Sequence, residues 1–161
     1  MAIEPDDIIR DYDSTVETNK HIDRVDELLA AVKINLTRRG LVHDNSKLAD
    51  PEKAGWDEAT PKLAGLTYGS EEYRASLRAI RPIIDHHYAN NTHHPEYYEN
   101  GLNGMSLMDV IEMFCDWKAA SERGKGNDFM EGLKHNQARF DMSDQLYDIL
   151  VNTAKELGYD K

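Results

Sequence analysis

Residues Tyr12–Lys47 read YDSTVETNKHIDRVDELLAAVKINLTRRGLVHDNSK, and this stretch decides the fold class. Val16, His21, Val25, Leu28, Leu29, Val32 and Leu36 return along it with a period near 3.6 residues, which predicts one long amphipathic helix over residues 12 to 39. Arg38 and Arg39 suit the negative end of the helix dipole, and Gly40 is the expected stop. Leu41 to Lys47 then form a tight connection that carries His43, Asp44, Asn45 and Ser46.

Residues 48 to 69 contain Pro51, Gly55, Pro61, Gly65 and Gly69, and are expected to be the least regular part, with short helical turns at most. Ser70 is placed to cap a helix that has Glu71 and Glu72 in its first turn and runs to about residue 89, with a kink or restart at Pro82. Asn90 to Gly104 is a polar, aromatic loop, long enough to suggest function. Ser106 begins a strong helix to about Arg123, and amphipathic helices follow over residues 128 to 139 and 143 to 157. No stretch alternates convincingly as a strand. The expected architecture is all-α: a compact bundle of five or six helices in one domain over residues 1 to 161.

The chain has 161 residues, 40% of them hydrophobic, which is enough for a core. A net charge of -11 argues against sequence-independent binding to duplex nucleic acid, which needs a basic footprint. It leaves open a phosphate-bearing substrate, because bound cations reverse the local field. Cys115 is the sole cysteine, which excludes an internal disulfide and a Cys-rich zinc site, and a reducing cytoplasmic setting follows as the simple expectation. The N-terminus does not read as a signal peptide, and no apolar run reaches the roughly 20 residues that span a bilayer.

Seven histidines are present, six of them before residue 95. Imidazoles and carboxylates together are ligands for divalent transition metals. His43-Asp44 sits at a turn, where two neighbouring side chains can reach one cation. Alternatively, Asp44 simply caps the next helix. His21 lies on the mostly apolar face of the long helix, where a core histidine and a ligand are both open readings. Asp116 stands in the core-like run Met-Phe-Cys-Asp-Trp-Lys-Ala-Ala, and a carboxylate there is costly unless paired or metal-bound. Asp109 has a simpler explanation, because Ser106-Leu-Met-Asp109 matches a capping box. Asp109, Glu112 and Asp116 share one helix face, so Asp109 or Glu112 could support the site from behind.

His86-His87 close the helix before the long loop, one as a metal ligand or phosphate contact and the other as a helix end. His93-His94-Pro95 is open between a surface loop and a lid, with Tyr97 and Tyr98 as stacking surfaces. Lys47 is either a solvated charge or a phosphate contact, and His135 reads as surface.

Together these residues resemble the HD superfamily of metal-dependent phosphohydrolases. The family pattern is a histidine on an early helix, a His-Asp pair and a distant aspartate, matched here by His21, His43-Asp44 and Asp116. His43-Asp44-Asn45-Ser46-Lys47 is similar to the His-Asp-x-x-Lys form of HD-type phosphodiesterases. The order from His86-His87 through Gly101–Gly104 to Asp116 is similar to the HD-GYP arrangement. The chain also resembles small HD-like proteins of phage and bacterial genomes. Gly-Tyr-Pro is absent, which argues against cyclic-di-GMP as substrate. Lys47 stands where HD-type deoxynucleotidases carry an acid, for which Glu58, Glu71 or Glu72 are candidate substitutes. No histidine lies between Asp44 and His86, so the expectation narrows to one metal, with a second left open.

The resemblance implies an HD-like fold and hydrolysis of a nucleotide phosphoester, by a 5'-nucleotidase or a triphosphohydrolase. His21, His43, Asp44 and Asp116 are the implied ligands for one Mn, Fe, Co, Ni or Zn ion. Asp44, Lys47 and His87 are the implied catalytic groups. His86, Asn91, His94 and Tyr98 are implied substrate contacts, with Asn90 and Tyr97 beside them. A homo-oligomer, and a host cytoplasm if the chain is phage-encoded, belong to the same expectation. The competing reading is a non-catalytic helical module that binds a protein partner through its acidic surface.

Overall fold

The computed structural model describes residues 12–66, 70–123 and 128–160. Among them every regular element is helical, so the all-α expectation stands. The α-helices are α1 (Thr15–Val42), α2 (Glu52–Ala64), α3 (Glu71–Ala79), α4 (Arg81–Asn90), α5 (Leu107–Ser121), α6 (Phe129–Arg139) and α7 (Asp144–Glu156). Short 3-10 turns occupy Asn45–Leu48, Pro95–Tyr97 and Gly101–Gly104. No helix among the described residues is long and apolar enough to cross a membrane. The chain divides into two units, Met1–Arg38 and Arg39–Lys161.

The described residues of the first unit form the bulk of α1. Ion pairs within a turn, Lys20 with Glu17 and Arg24 with Glu27, decorate its polar side. No residue of α1 is buried, and Val25, Leu28, Leu29 and Val32 are all exposed. α1 does not stop at Gly40, as the sequence suggests. It runs on to Val42, because Gly40 keeps ordinary helical backbone, and the first residue after the helix with left-handed backbone is Asp44, at φ 56°.

The second unit holds the core. Val110, Met113 and Phe114 of α5 pack with Phe129 and Leu133 of α6, Met142, and Leu150 and Ala154 of α7. Phe114 meets Phe129 edge to face at 5.3 Å between ring centres, and Trp117 stacks on Phe140 at 5.9 Å. Three helices begin at serine caps, of which the sequence marks Ser70 and Ser106. Ser70 Oγ accepts from the Tyr73 N–H, Ser143 Oγ from the Leu146 N–H, and Ser106 with Asp109 forms the complete capping box.

Residues 48 to 69 are more regular than expected, since α2 fills much of them. Gly55 is no turn residue. A Cβ there would lie 2.5 Å from Ile83 Cγ1, so its small size lets α2 close on α4. The Pro82 expectation is met: the chain breaks at Ile80, and Pro82 falls in the first turn of α4, where a missing N–H costs nothing.

Candidate metal centre

Asp44 anchors the centre. It stands at the head of the Asn45–Leu48 turn, yet its side chain makes no capping hydrogen bond there, which sets aside the capping reading. Left-handed backbone is tolerated by aspartate better than by most residues, and strain of this kind gathers at functional positions. The effect is to aim the carboxylate at α4, α5 and the long loop. Oδ1 lies 3.2 Å from His87 Nε2 and 3.4 Å from His93 Nε2. Oδ2 takes the Lys47 ammonium at 2.6 Å and lies 3.6 Å from His43 Nε2.

Two donor sets share this aspartate: Asp44 with His87, His93 and His94, and Asp44 with His43 and Asp116. In the first set His87 Nε2 is 2.9 Å from His94 Nε2. In the second, His43 Nε2 is 3.6 Å from Asp116 Oδ1. Four donors arranged tetrahedrally about 2.1 Å from a cation stand roughly 3.4 Å apart, and the observed separations cluster around that value. Asp44 Oδ1 and His93 Nε2 are buried and face each other, yet neither has a hydrogen-bond partner. Buried polar atoms are rarely left so unless a further species belongs between them. The residues therefore fit a divalent cation.

The imidazole orientations have a visible cause. Glu112 Oε1 lies 2.9 Å from His43 Nδ1 and 3.3 Å from His93 Nδ1, while its Oε2 accepts from Arg39 at 2.9 Å. Buried Glu52 treats the other pair alike: Oε1 is 2.8 Å from His86 Nδ1, and Oε2 is 2.9 Å from His87 Nδ1. A carboxylate only accepts, so His43, His86 and His87 each place a hydrogen on Nδ1 toward it, which turns the Nε2 edges of His43 and His87 inward. In the grouping of His43, His93 and Glu112, the Glu112 carboxylate is thus taken up by the His43 hydrogen bond and by Arg39. His94 is held neutral: burial, with His93 and His87 nearby, pushes it down to about 3, which keeps its lone pair free to bind.

The structure brings His43, Asp44, His87, His94 and Asp116 together, with Lys47 at the edge. His21 lies in the other unit, exposed on α1. Asp116 is partly buried. Burial raises its carboxyl, but His43 more than offsets this and holds it below its ordinary value. His86 leans on Glu52 from outside, with 40% of its side chain exposed. The Asn91 amide donates to Ser46 Oγ and to the His87 carbonyl, bracing the turn from within. Tyr98 lies behind the centre beside Asp109, and burial first, with that carboxylate second, pushes its hydroxyl up to about 12. Gly104 permits this approach, since a Cβ there would lie 2.8 Å from Tyr98 Cβ.

Three residues were missed or undervalued in the sequence. His93 is 2% exposed and central, not a surface loop residue; the doubled His93-His94 between two asparagines and a proline was the available signal. Glu52 is fully buried, whereas the acids proposed as substitutes lie elsewhere: Glu58 pairs with Lys62 and Glu71 with Arg78, all exposed. Trp56 holds the Lys47 ammonium 5.1 Å over its ring, and its own buried N–H has no partner.

Over residues 10–156 the chain matches a family described as a family of unknown function, DUF5662, and it belongs to that family. No curated protein and no solved structure matches it.

Proposed function

We propose that this protein is a metal-dependent phosphohydrolase that acts on a nucleotide, with Asp44 as the carboxylate common to both donor sets. The observation that carries the reading is the pair of buried, unpartnered atoms, Asp44 Oδ1 and His93 Nε2, set 3.4 Å apart among imidazoles. Hydrolytic centres in HD-type enzymes use the same residue types in the same order, and the resemblance of His43-Asp44 and Asp116 to that pattern favours a phosphoester. A bound cation would supply Lewis acidity, making water acidic enough to ionise near neutral pH and screening the phosphate charge.

The chain's own groups supply the rest. His43, Asp44 and Asp116 would hold one cation. His87, His93 and His94 would hold a second with Asp44. Lys47, held between Asp44 Oδ2 and the Trp56 face, offers a cation to a phosphate oxygen. His86 presents a half-exposed ring at the rim, where it can contact the leaving group or the sugar.

Metal analysis of the purified protein, with phosphate release measured across nucleoside mono- and triphosphates, tests the reading. We expect between one and two transition-metal ions per chain and release from at least one nucleotide class. Asp44→Ala should lose both metal and activity. No binding of Mn²⁺, Co²⁺ or Zn²⁺ would sink the proposal. Metal without phosphate release from any nucleotide would move the reading to a metal-braced module that binds a partner.

A further inference from the structure

Glu52 stands outside both donor sets, and the sequence does not mark it. Its carboxylate is fully buried, 0% exposed, in the first turn of α2. Such a group is costly to bury unless each oxygen is satisfied. Here each is. Oε1 faces His86 Nδ1 at 2.8 Å, and Oε2 faces His87 Nδ1 at 2.9 Å and accepts from Ser46 Oγ at 3.0 Å.

We infer that Glu52 is the positioning residue of the centre: by accepting from Nδ1 of His86 and His87 together, it fixes both rings in one tautomer. This deepens the metal reading and rests on it. The consequence for His87 is direct. With its hydrogen held at Nδ1, its Nε2 lone pair points at Asp44 Oδ1, 3.2 Å away, and at His94 Nε2, 2.9 Å away. Three donor atoms then converge with no hydrogen of His87 between them, an arrangement that suits a cation. The consequence for His86 is complementary. Its Nδ1 is tied down inside, so its Nε2 edge is the one presented at the rim. One carboxylate thus orients a ligand inward and a substrate contact outward.

The chemistry requires two acceptors. A glutamine at this position has one acceptor oxygen and one donor nitrogen, so it can satisfy Nδ1–H on only one of the two rings. Glu52→Gln nearly preserves shape, which separates orientation from packing.

The test measures side-chain tautomers by ¹⁵N–¹H NMR in the metal-free protein, and Mn²⁺ and Zn²⁺ affinity by titration calorimetry. In the wild type, neutral His86 and His87 should both carry hydrogen on Nδ1. In Glu52→Gln one of them should shift to Nε2–H, and metal affinity should fall about 10- to 100-fold, the usual effect of losing a group that orients a ligand. Glu52→Asp, which keeps two acceptors, should recover part of that loss. Unchanged affinity in Glu52→Gln overturns the inference. So does wild-type His87 with its hydrogen on Nε2, a result that needs no variant to fold. A wild type that binds no metal would instead overturn the proposed function, while the tautomer measurement would still decide what Glu52 does.

Discussion

At the scale of single residues, His43, Asp44 and Asp116 were legible because each is chemically out of place: a polar pair at a turn and a carboxylate within an apolar helix. His93 and Glu52 were not, because burial is what distinguishes them, and burial of a loop residue depends on contacts far along the chain. His43 allows a quantitative expectation. In the metal-free centre Asp116 raises its pKa most, burial opposes, and Glu112 and Asp44 add to the rise, so His43 reaches about 9. The sign follows from linkage. A histidine raised above its ordinary value of about 6.5 favours the fold fully below that value, and the benefit is lost as pH rises toward 9. The metal needs the same nitrogen without its proton. Below pH 9, binding should therefore release one proton from His43, and affinity should climb by up to about tenfold per pH unit until it levels near 9. Calorimetry in buffers of different ionisation enthalpy would count that proton. Affinity flat between pH 6 and 8 would contradict the assignment of His43 as a ligand.

Elements were read more reliably where local chemistry decides them. The Ser70, Ser106 and Ser143 caps depend on residues three positions away, so a sequence displays them in full. Glycine and proline misled, because each has more than one use. Gly40 continues α1, and Gly55 lies inside α2 as a contact surface for Ile83 of α4. That contact matters to the centre, since α2 carries Glu52 and α4 carries His86 and His87. Gly55→Ala should force the Ile83 side chain aside, at a cost of about 1–3 kcal/mol, as overpacking does elsewhere. Denaturant titration would measure it. Adding Ile83→Ala should recover part of the loss, because the nearest atoms a Cβ would meet belong to that side chain. If the two changes add without recovery, the glycine is not there for close approach.

For the whole molecule, charge and metal act together. A chain of net charge -11 that draws Asp44, Asp116, Glu52 and Glu112 around one set of imidazoles holds repulsion that cations relieve. Arg39 answers part of it, reaching Asp109 at 2.7 Å and Glu112 at 2.9 Å, and Lys47 answers another part at Asp44. Neither lies between Asp44 Oδ1 and His93 Nε2, which remain without partners. A cation that binds there binds the folded chain alone, because its donors come from the turn after α1, from α4, from the long loop and from α5. Binding must then stabilise the fold by mass action, by about 4 kcal/mol at a free metal concentration a thousand times Kd. For a chain of this size each kcal/mol moves the melting temperature by about 2–4 °C. Saturating metal should therefore raise Tm by about 8–16 °C over protein treated with chelator. Asp44→Ala should melt at the same temperature with and without metal, since it removes the carboxylate common to both donor sets. A wild type whose Tm ignores chelator, or an Asp44→Ala variant that keeps the full metal-dependent rise, would show that these donors converge for some reason other than a cation.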